Sequence, residues 1–317
     1  MMTTRARLAV LVGASLFALV ACGGADPASD GQPPEESATD AGDETEIEIM
    51  SAMPYCHGGG VEQLLDLARP VAGSGSPRPG LLFVHGGGWS DGDRSLHSTD
   101  VAEAARRGYV AVTIDYRLAR IGDVGEVLNP FPAQLIDVKC AIRWMRANAD
   151  QLGVDPSSIG LVGASAGAHL SLLAALTGDD FFADAEEWPE VSNQVRAVVN
   201  IYGPTDLIRL HETSPDLIPA LEAVFSGDPA DPDVAQLYAA ASPASYVDAA
   251  MPPVLTMHGT ADALVPLEQA SIFDSLATAA GAAHTLITFE GEGHGFGPDN
   301  VRRSLDEALD FADDQLD

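Results

Sequence analysis

Lysine is almost missing from this chain. Of 317 residues, 16 are Lys or Arg, and Lys139 is the single lysine among them; 47 are Asp or Glu, and the formal net charge is −31. So acidic a surface repels phosphate backbones, which argues against nucleic-acid binding. Cysteine is scarce as well. Cys22, Cys56 and Cys140 are too few and too scattered for a disulfide scaffold, and no Cys-x-x-Cys or Cys/His cluster offers a zinc site. Beyond the first 22 residues, no apolar run reaches the roughly 18 residues that a membrane-spanning helix needs. What is present is a hydrophobic content of 46%. It allows a sizeable core, in a chain long enough for one large α/β domain or two small ones.

The N-terminus reads as an address. Residues 1–7 carry two arginines and no acid, residues 8–20 are an apolar run, and Leu19-Val20-Ala21-Cys22 follows. Positive, then apolar, then small is the order of a secretory signal. Leu-x-Ala-Cys resembles the lipobox of bacterial lipoproteins. That resemblance implies cleavage after Ala21, acyl chains such as palmitate on Cys22, and a protein exported and lipid-anchored to the bacterial cell envelope. Residues 23–53, rich in Asp, Glu, Pro, Gly, Ser and Thr, read as a disordered acidic tether. In an exported protein Cys56 and Cys140 are the remaining thiols. Either they join in a disulfide or Cys140 packs as a free thiol in a buried helix.

From about residue 62 strand and helix patterns alternate. Residues 63–68, 80–84, 109–114, 158–162, 195–201, 254–258 and 285–289 read as strands, most of them continuous apolar runs. Residues 98–107, 131–152, 166–176, 267–281 and 301–316 read as helices, with Pro130 and Pro132 opening the second and Gly153 closing it. Short buried strands separated by helices predict an α/β domain over 54–317. Its sheet is mostly parallel, with helices on both faces. Residues 207–250 interrupt the alternation and read as a short cap inserted between two strands.

Two glycine motifs sit at strand ends. The strand at 158–162 runs into Gly163-Ala164-Ser165-Ala166-Gly167, and a helix follows. A serine on so sharp a turn needs glycines on both sides, because neighbouring chain leaves no room for a Cβ. The turn lifts the Ser165 hydroxyl clear of the sheet and aims the Ala166 N–H at the same point. His85-Gly86-Gly87-Gly88-Trp89 follows the strand at 80–84. Consecutive glycines let backbone N–H groups converge on an anion. With the Ala166 N–H they make a candidate oxyanion hole. His85 is expected to orient that loop, and Trp89 to line a pocket or plug the sheet edge. His294 is the candidate base, because it lies in a glycine loop just past a strand, at the carboxyl edge of the sheet. His169 is expected to pack or cap. Asp262 is the candidate acid and Asp206 the runner-up, while Glu292 and Asp299 lie too near His294 in the chain. Asp115 and Arg117 read as a structural polar network. Ile142, Trp144 and Met145 read as core, and Glu186 and Glu187 as a solvated face.

In this order, Ser…Asp…His, the chain resembles the α/β-hydrolase superfamily. Within it the chain is similar to esterases bearing HGGGW, the bifunctional feruloyl/acetyl-xylan-esterase-like group related to hormone-sensitive-lipase-type esterases. The resemblance rests on residues 85–89, 115–118, 137–144, 163–167, 202–206, 258–262 and 293–296. It implies an α/β-hydrolase fold with Ser165 as nucleophile, Asp262 and His294 as partners, and Gly87, Gly88 and Ala166 as hole donors. No metal or organic cofactor is called for. The implied activity is hydrolysis of short-chain or small carboxylic esters, with a small-molecule ester as the partner. An amide or peptide-bond hydrolase on the same frame, kynurenine-formamidase-like or prolyl-peptidase-like, is the alternative. A surface binding protein using a degenerate version of the fold is a further one.

Overall fold

The computed structural model describes residues 45–71, 75–123, 125–182 and 187–316. The signal segment, Cys22, most of the tether and Glu186 lie outside these residues.

Eight strands form one twisted sheet: β1 (Ile47–Gly58), β2 (Val61–Pro70), β3 (Arg78–Val84), β4 (Val110–Ile114), β5 (Val154–Ala164), β6 (Ala197–Ile201), β7 (Val254–Gly259) and β8 (His284–Phe289). Their spatial order is β1-β2-β4-β3-β5-β6-β7-β8. β1 and β2 pair antiparallel, as do β2 and β4; the six strands from β4 to β8 run parallel. Alternation along β3 explains why both faces are covered. Leu82 and Val84 point into one core, shared with α2 (Ala133–Ala147), α3 (Ala166–Leu176) and α7 (Glu268–Ala280). Leu81 and Phe83 point into the other, shared with α1 (Ser98–Arg106) and α8 (Pro298–Leu316). A strand buried on both faces is mostly apolar, which is how residues 80–84 and 110–114 read; the buried exception, Thr113, donates its hydroxyl to Arg94 O at 3.0 Å. Among the described residues no helix is long and apolar enough to cross a membrane.

Two boundaries differ from expectation. Among the described residues the first strand begins at Ile47, so residues 47–53 belong to the sheet and not to the tether. β1 is an edge strand; much of what holds it is the backbone ladder to β2, which its acidic, half-exposed side chains do not advertise. The long helix expected over 131–152 ends at Ala147. A separate turn, Ala149–Leu152, follows Asn148, and Gly153 closes it in the left-handed region at φ 76°.

The cap contains three short α-helices, α4 (Leu207–Thr213), α5 (Ile218–Val224) and α6 (Pro232–Ala240), with 3-10 turns at Pro215–Leu217 and Pro243–Tyr246. Leu210, Leu221, Phe225 and Tyr238 anchor it in the same core as α3. Lys139 is buried in α2 and donates to the Gly178 and Phe181 carbonyls at 2.8 and 2.9 Å. Asp115 and Arg117 do form structural ion pairs, the first with Arg94 and the second with the buried Asp137.

Cys56 at the end of β1 and Cys140 on α2 are joined in a disulfide across 84 residues, with Cα atoms 6.4 Å apart. The link ties the edge hairpin to a helix of the main core. Cys140→Ser should lower unfolding stability by roughly 2–4 kcal/mol, read by urea denaturation. Thiol labelling of unfolded, unreduced protein should find both cysteines blocked; two free thiols there would contradict the pairing.

Candidate active site

The parallel register sets the site. Val84 stands opposite Gly163, Ala164 opposite Ile201 and Gly259 opposite Phe289, so the neighbouring parallel strands end within a residue of one another. Every loop leaving these strands therefore opens on the same carboxyl edge, the edge where sites of wound sheets lie.

Ser165 follows β5 directly, at φ 55° and ψ −120°, a left-handed backbone that side-chain-bearing residues rarely adopt. Its N–H donates to Ile201 O at 2.9 Å. The flanking glycines are required sterically. A Cβ on Gly163 would lie 2.5 Å from Gly167 O, and one on Gly167 only 2.0 Å from Val84 O. The helix α3 thus starts in contact with the end of β3. Its first N–H groups, that of Ala166 included, have no acceptor within the helix.

His294 Nε2 stands 2.9 Å from Ser165 Oγ, and His294 Nδ1 stands 2.7 Å from Asp262 Oδ2. The other Asp262 oxygen accepts from the N–H groups of Leu264 and Val265, both at 2.9 Å. His258 Nε2 lies 3.5 Å from the carboxylate and 2.8 Å from Val265 O. Burial pushes the Asp262 carboxyl up. Hydrogen bonds from His258, His294 and the Val265 N–H outweigh it and hold the group below the ordinary carboxylate range. The acid and base loops are laced together: Ala261 N–H donates to Glu292 O, and Gly291 N–H to Thr260 Oγ1. A Cβ on Gly259 would sit 2.3 Å from Glu292 O, so this lacing needs the glycine.

The glycine loop crosses Ser165 closely, since a Cβ on Gly86 would lie 3.2 Å from Ser165 Cβ. Gly87 and Gly88 take φ 112° and 57°. Among the described residues neither N–H has a protein acceptor. Tyr116 holds one end of the loop, donating to His85 O at 3.0 Å and stacking on the His85 ring at 4.2 Å. Trp89 holds the other end and is buried, so it plugs the sheet edge.

Three further residues shape the site, and His169 packs as expected. Tyr202 packs its ring 4.7 Å from that of His294. Glu292 accepts from Gly297 N and Asn300 Nδ2, both at 2.6 Å, and so shapes the His294 loop. His169 accepts from Trp89 Nε1 at 3.1 Å through Nδ1 and donates to Ala241 O at 2.7 Å through Nε2. Tyr202 stands within the 202–206 motif and Glu292 just before the 293–296 one, but nothing in the sequence marks the partners of His169. Asp206 caps α4 by accepting from Arg209 N, and Asp299 lies in the first turn of α8. Two groups of metal-type ligands come within 4.8 Å among the described residues. Cys56, Cys140 and Glu187 form one, which the disulfide closes, and His211, Glu222 and Asp228 on the cap form the other.

Chemically, a hydroxyl, an imidazole and a buried carboxylate in series can move a proton off the hydroxyl and hold the resulting imidazolium. His169 adds a titration of its own. Burial pushes its pKa from the ordinary 6.5 down to about 4. Between those values the unfolded chain binds a proton that the folded chain does not. Stability therefore falls as pH drops from 6.5 towards 4, and this contribution is flat above 6.5. The slope is about 1.4 kcal/mol per pH unit. In His169→Gln it disappears, so urea unfolding at pH 7 and pH 5 should show the variant losing roughly 2 kcal/mol less than wild type. Equal losses would contradict the buried neutral imidazole.

Comparison with known proteins gives the family. The BD-FAE family model matches residues 65–276. The chain is similar to the esterase LipC of Mycobacterium tuberculosis, 38% identical over 242 residues, 74% of this chain and 57% of LipC. It spans about half the length of the curated relatives it matches. Among solved structures it is similar to Est2, a thermophilic esterase of Thermogutta terrifontis solved with propionate bound: 29% identity, TM-score 0.68, 85% of this chain and 93% of that one. The same enzyme has been solved with butyrate bound and phosphorylated by paraoxon. A carbohydrate esterase from gut microbiota, in truncated form, gives a TM-score of 0.72 at 26% identity, over 87% of this chain and 98% of that one. With this fold, this match and these relatives, the chain belongs to the BD-FAE family and has an α/β-hydrolase fold.

Proposed function

We propose that this protein is a carboxylic ester hydrolase that works through Ser165, His294 and Asp262 and an acyl-enzyme, on short-chain or small esters. The observation that carries the reading is the continuous relay Ser165 Oγ–His294 Nε2 and His294 Nδ1–Asp262 Oδ2, at 2.9 and 2.7 Å.

His294 takes the Ser165 proton as Oγ attacks the ester carbonyl. Asp262 fixes the imidazole tautomer and stabilises its charged form. The carbonyl oxygen, now an oxyanion, turns to the N–H groups of Gly87, Gly88 and Ala166, each contributing on the order of 3 kcal/mol at the transition state. His294 then protonates the leaving alcohol, which departs and leaves an ester on Ser165. Water enters, gives its proton to His294, attacks the acyl carbon and releases the acid with Ser165 restored.

Small acyl groups fit the packing. Trp89, Phe131 and Phe225 fill the space between loop and cap with their rings, each at most 4% exposed. The propionate and butyrate complexes of Est2 support the same size class. Its phosphorylation by paraoxon supports attack by an activated nucleophile on this frame. Export and a lipid anchor on Cys22 belong to the same proposal. The lipobox-like Leu19–Cys22 motivates it, and the Cys56–Cys140 bridge fits an oxidising compartment.

Ser165→Ala should cut p-nitrophenyl acetate turnover by on the order of 10³-fold or more while the far-UV CD spectrum is retained. Substantial turnover by the folded variant would overturn the assignment. In a panel of p-nitrophenyl esters and matched anilides, acetate to butyrate esters should give the highest kcat/KM. A preference for anilides would point instead to an amide hydrolase.

A further inference from the structure

His169 is a fully buried imidazole, one helical turn beyond Ser165, that the reaction above does not use. Its surroundings are aromatic and uncharged. Trp89 and Phe225 meet its ring edge-on at 5.2 and 6.1 Å, and Phe131 lies 6.5 Å away. An indole N–H only donates, so the ring nitrogen facing Trp89 must be the unprotonated one. The proton then sits on Nε2, where the Ala241 carbonyl accepts it. Both partners demand the same neutral tautomer, and burial keeps the ring uncharged at neutral pH.

These two bonds join three parts of the molecule. His169 rides on α3, whose first residue supplies one N–H of the proposed oxyanion hole. Trp89 follows Gly88 directly, and its carbonyl accepts from Ala119 N–H. Ala241 ends the last cap helix, where its own N–H donates back to Leu237 O. A loop containing Gly86, Gly87 and Gly88 has wide conformational freedom. Here it is held at His85 by Tyr116 and at Trp89 by His169, which leaves the glycine N–H groups between two fixed ends.

Resting on the hydrolase reading, we propose that His169 is a positioning residue for the oxyanion loop. Through Trp89 it keeps the Gly87 and Gly88 N–H groups placed beside the Ser165 hydroxyl, and through Ala241 it makes that placement depend on the cap. Such a link acts on the transition state more than on substrate binding, because the hole engages the oxyanion and not the ground-state carbonyl. It predicts a loss in kcat at nearly constant KM. It also predicts rescue by a side chain that accepts at one end and donates at the other.

The test uses His169→Phe, His169→Gln, Trp89→Phe and the double variant His169→Phe/Trp89→Phe. For each, p-nitrophenyl acetate kinetics, melting temperature and the rate of Ser165 labelling by a fluorophosphonate are measured. The expected result is a fall of about tenfold or more in kcat and labelling rate for His169→Phe, with KM within about twofold. His169→Gln should recover most of the loss, and the double variant should be little worse than His169→Phe alone. Wild-type rates in both folded single variants, or a loss confined to KM, would overturn the positioning role. So would a glutamine variant as slow as phenylalanine at equal melting temperature. If His169→Phe does not fold, Trp89→Phe probes the same bond from the loop side. Failure of the underlying reading looks different, since wild-type Ser165 itself would then resist the fluorophosphonate.

Discussion

A serine held in a backbone conformation it would not choose is the constraint on which this molecule turns. At φ 55° and ψ −120°, Ser165 sits outside the regions open to ordinary residues, at a cost of order 1–3 kcal/mol. The surrounding chain leaves it no alternative. β5 must end level with β3 and β6, α3 must begin at once, and its first turn passes within contact of Val84 O. Only hydrogen atoms fit at residues 163 and 167. Two cores, one on each face of the sheet, press the strand and the helix into that arrangement and oppose its relaxation.

The rest of the site follows from neighbouring strands ending together. β7 and β8 pair from His284 opposite Val254 to Phe289 opposite Gly259, so the loops beyond them start side by side. Hydrogen bonds between these loops then bring Asp262 and His294 within 2.7 Å, although 32 residues separate them. The glycine loop is treated differently. Among the described residues the Gly87 and Gly88 N–H groups have no protein acceptor, while the loop's ends are fastened, by Tyr116 on one side and the Trp89–His169 pair on the other. Rigid ends and free donors are what preorganised stabilisation of an anion requires. The cap contributes to that rigidity through Ala241 and is itself fastened by Phe225 and Tyr238.

Features that demand special backbone geometry were legible in the sequence. Glycines at 163 and 167 and at 86–88 are there because a Cβ would collide or a positive φ is needed, and composition records that need directly. Asp262 could be preferred over Asp206 because strand order places its loop beside that of His294. Features that depend on distant partners were not legible. The partners of His169 are an indole 80 residues away and a carbonyl 72 residues away. Whether Cys56 and Cys140 meet depends on β1 packing against α2, which neither spacing nor hydrophobicity encodes. The first strand was hidden for another reason. At a sheet edge, backbone pairing does the work, and residues such as Glu48 and an exposed Ile49 look like tether.

The central claim is that the Ser165 oxygen becomes covalently acylated. Its most direct test is mass spectrometry of protein acid-quenched during turnover of p-nitrophenyl acetate, followed by peptide mapping. One acetyl group on the peptide that contains Ser165, absent when substrate is omitted, is the predicted result. Rapid turnover with no acyl group on Ser165 under conditions of rate-limiting deacylation, or an acetyl group on another residue that is released at the turnover rate, would contradict the account.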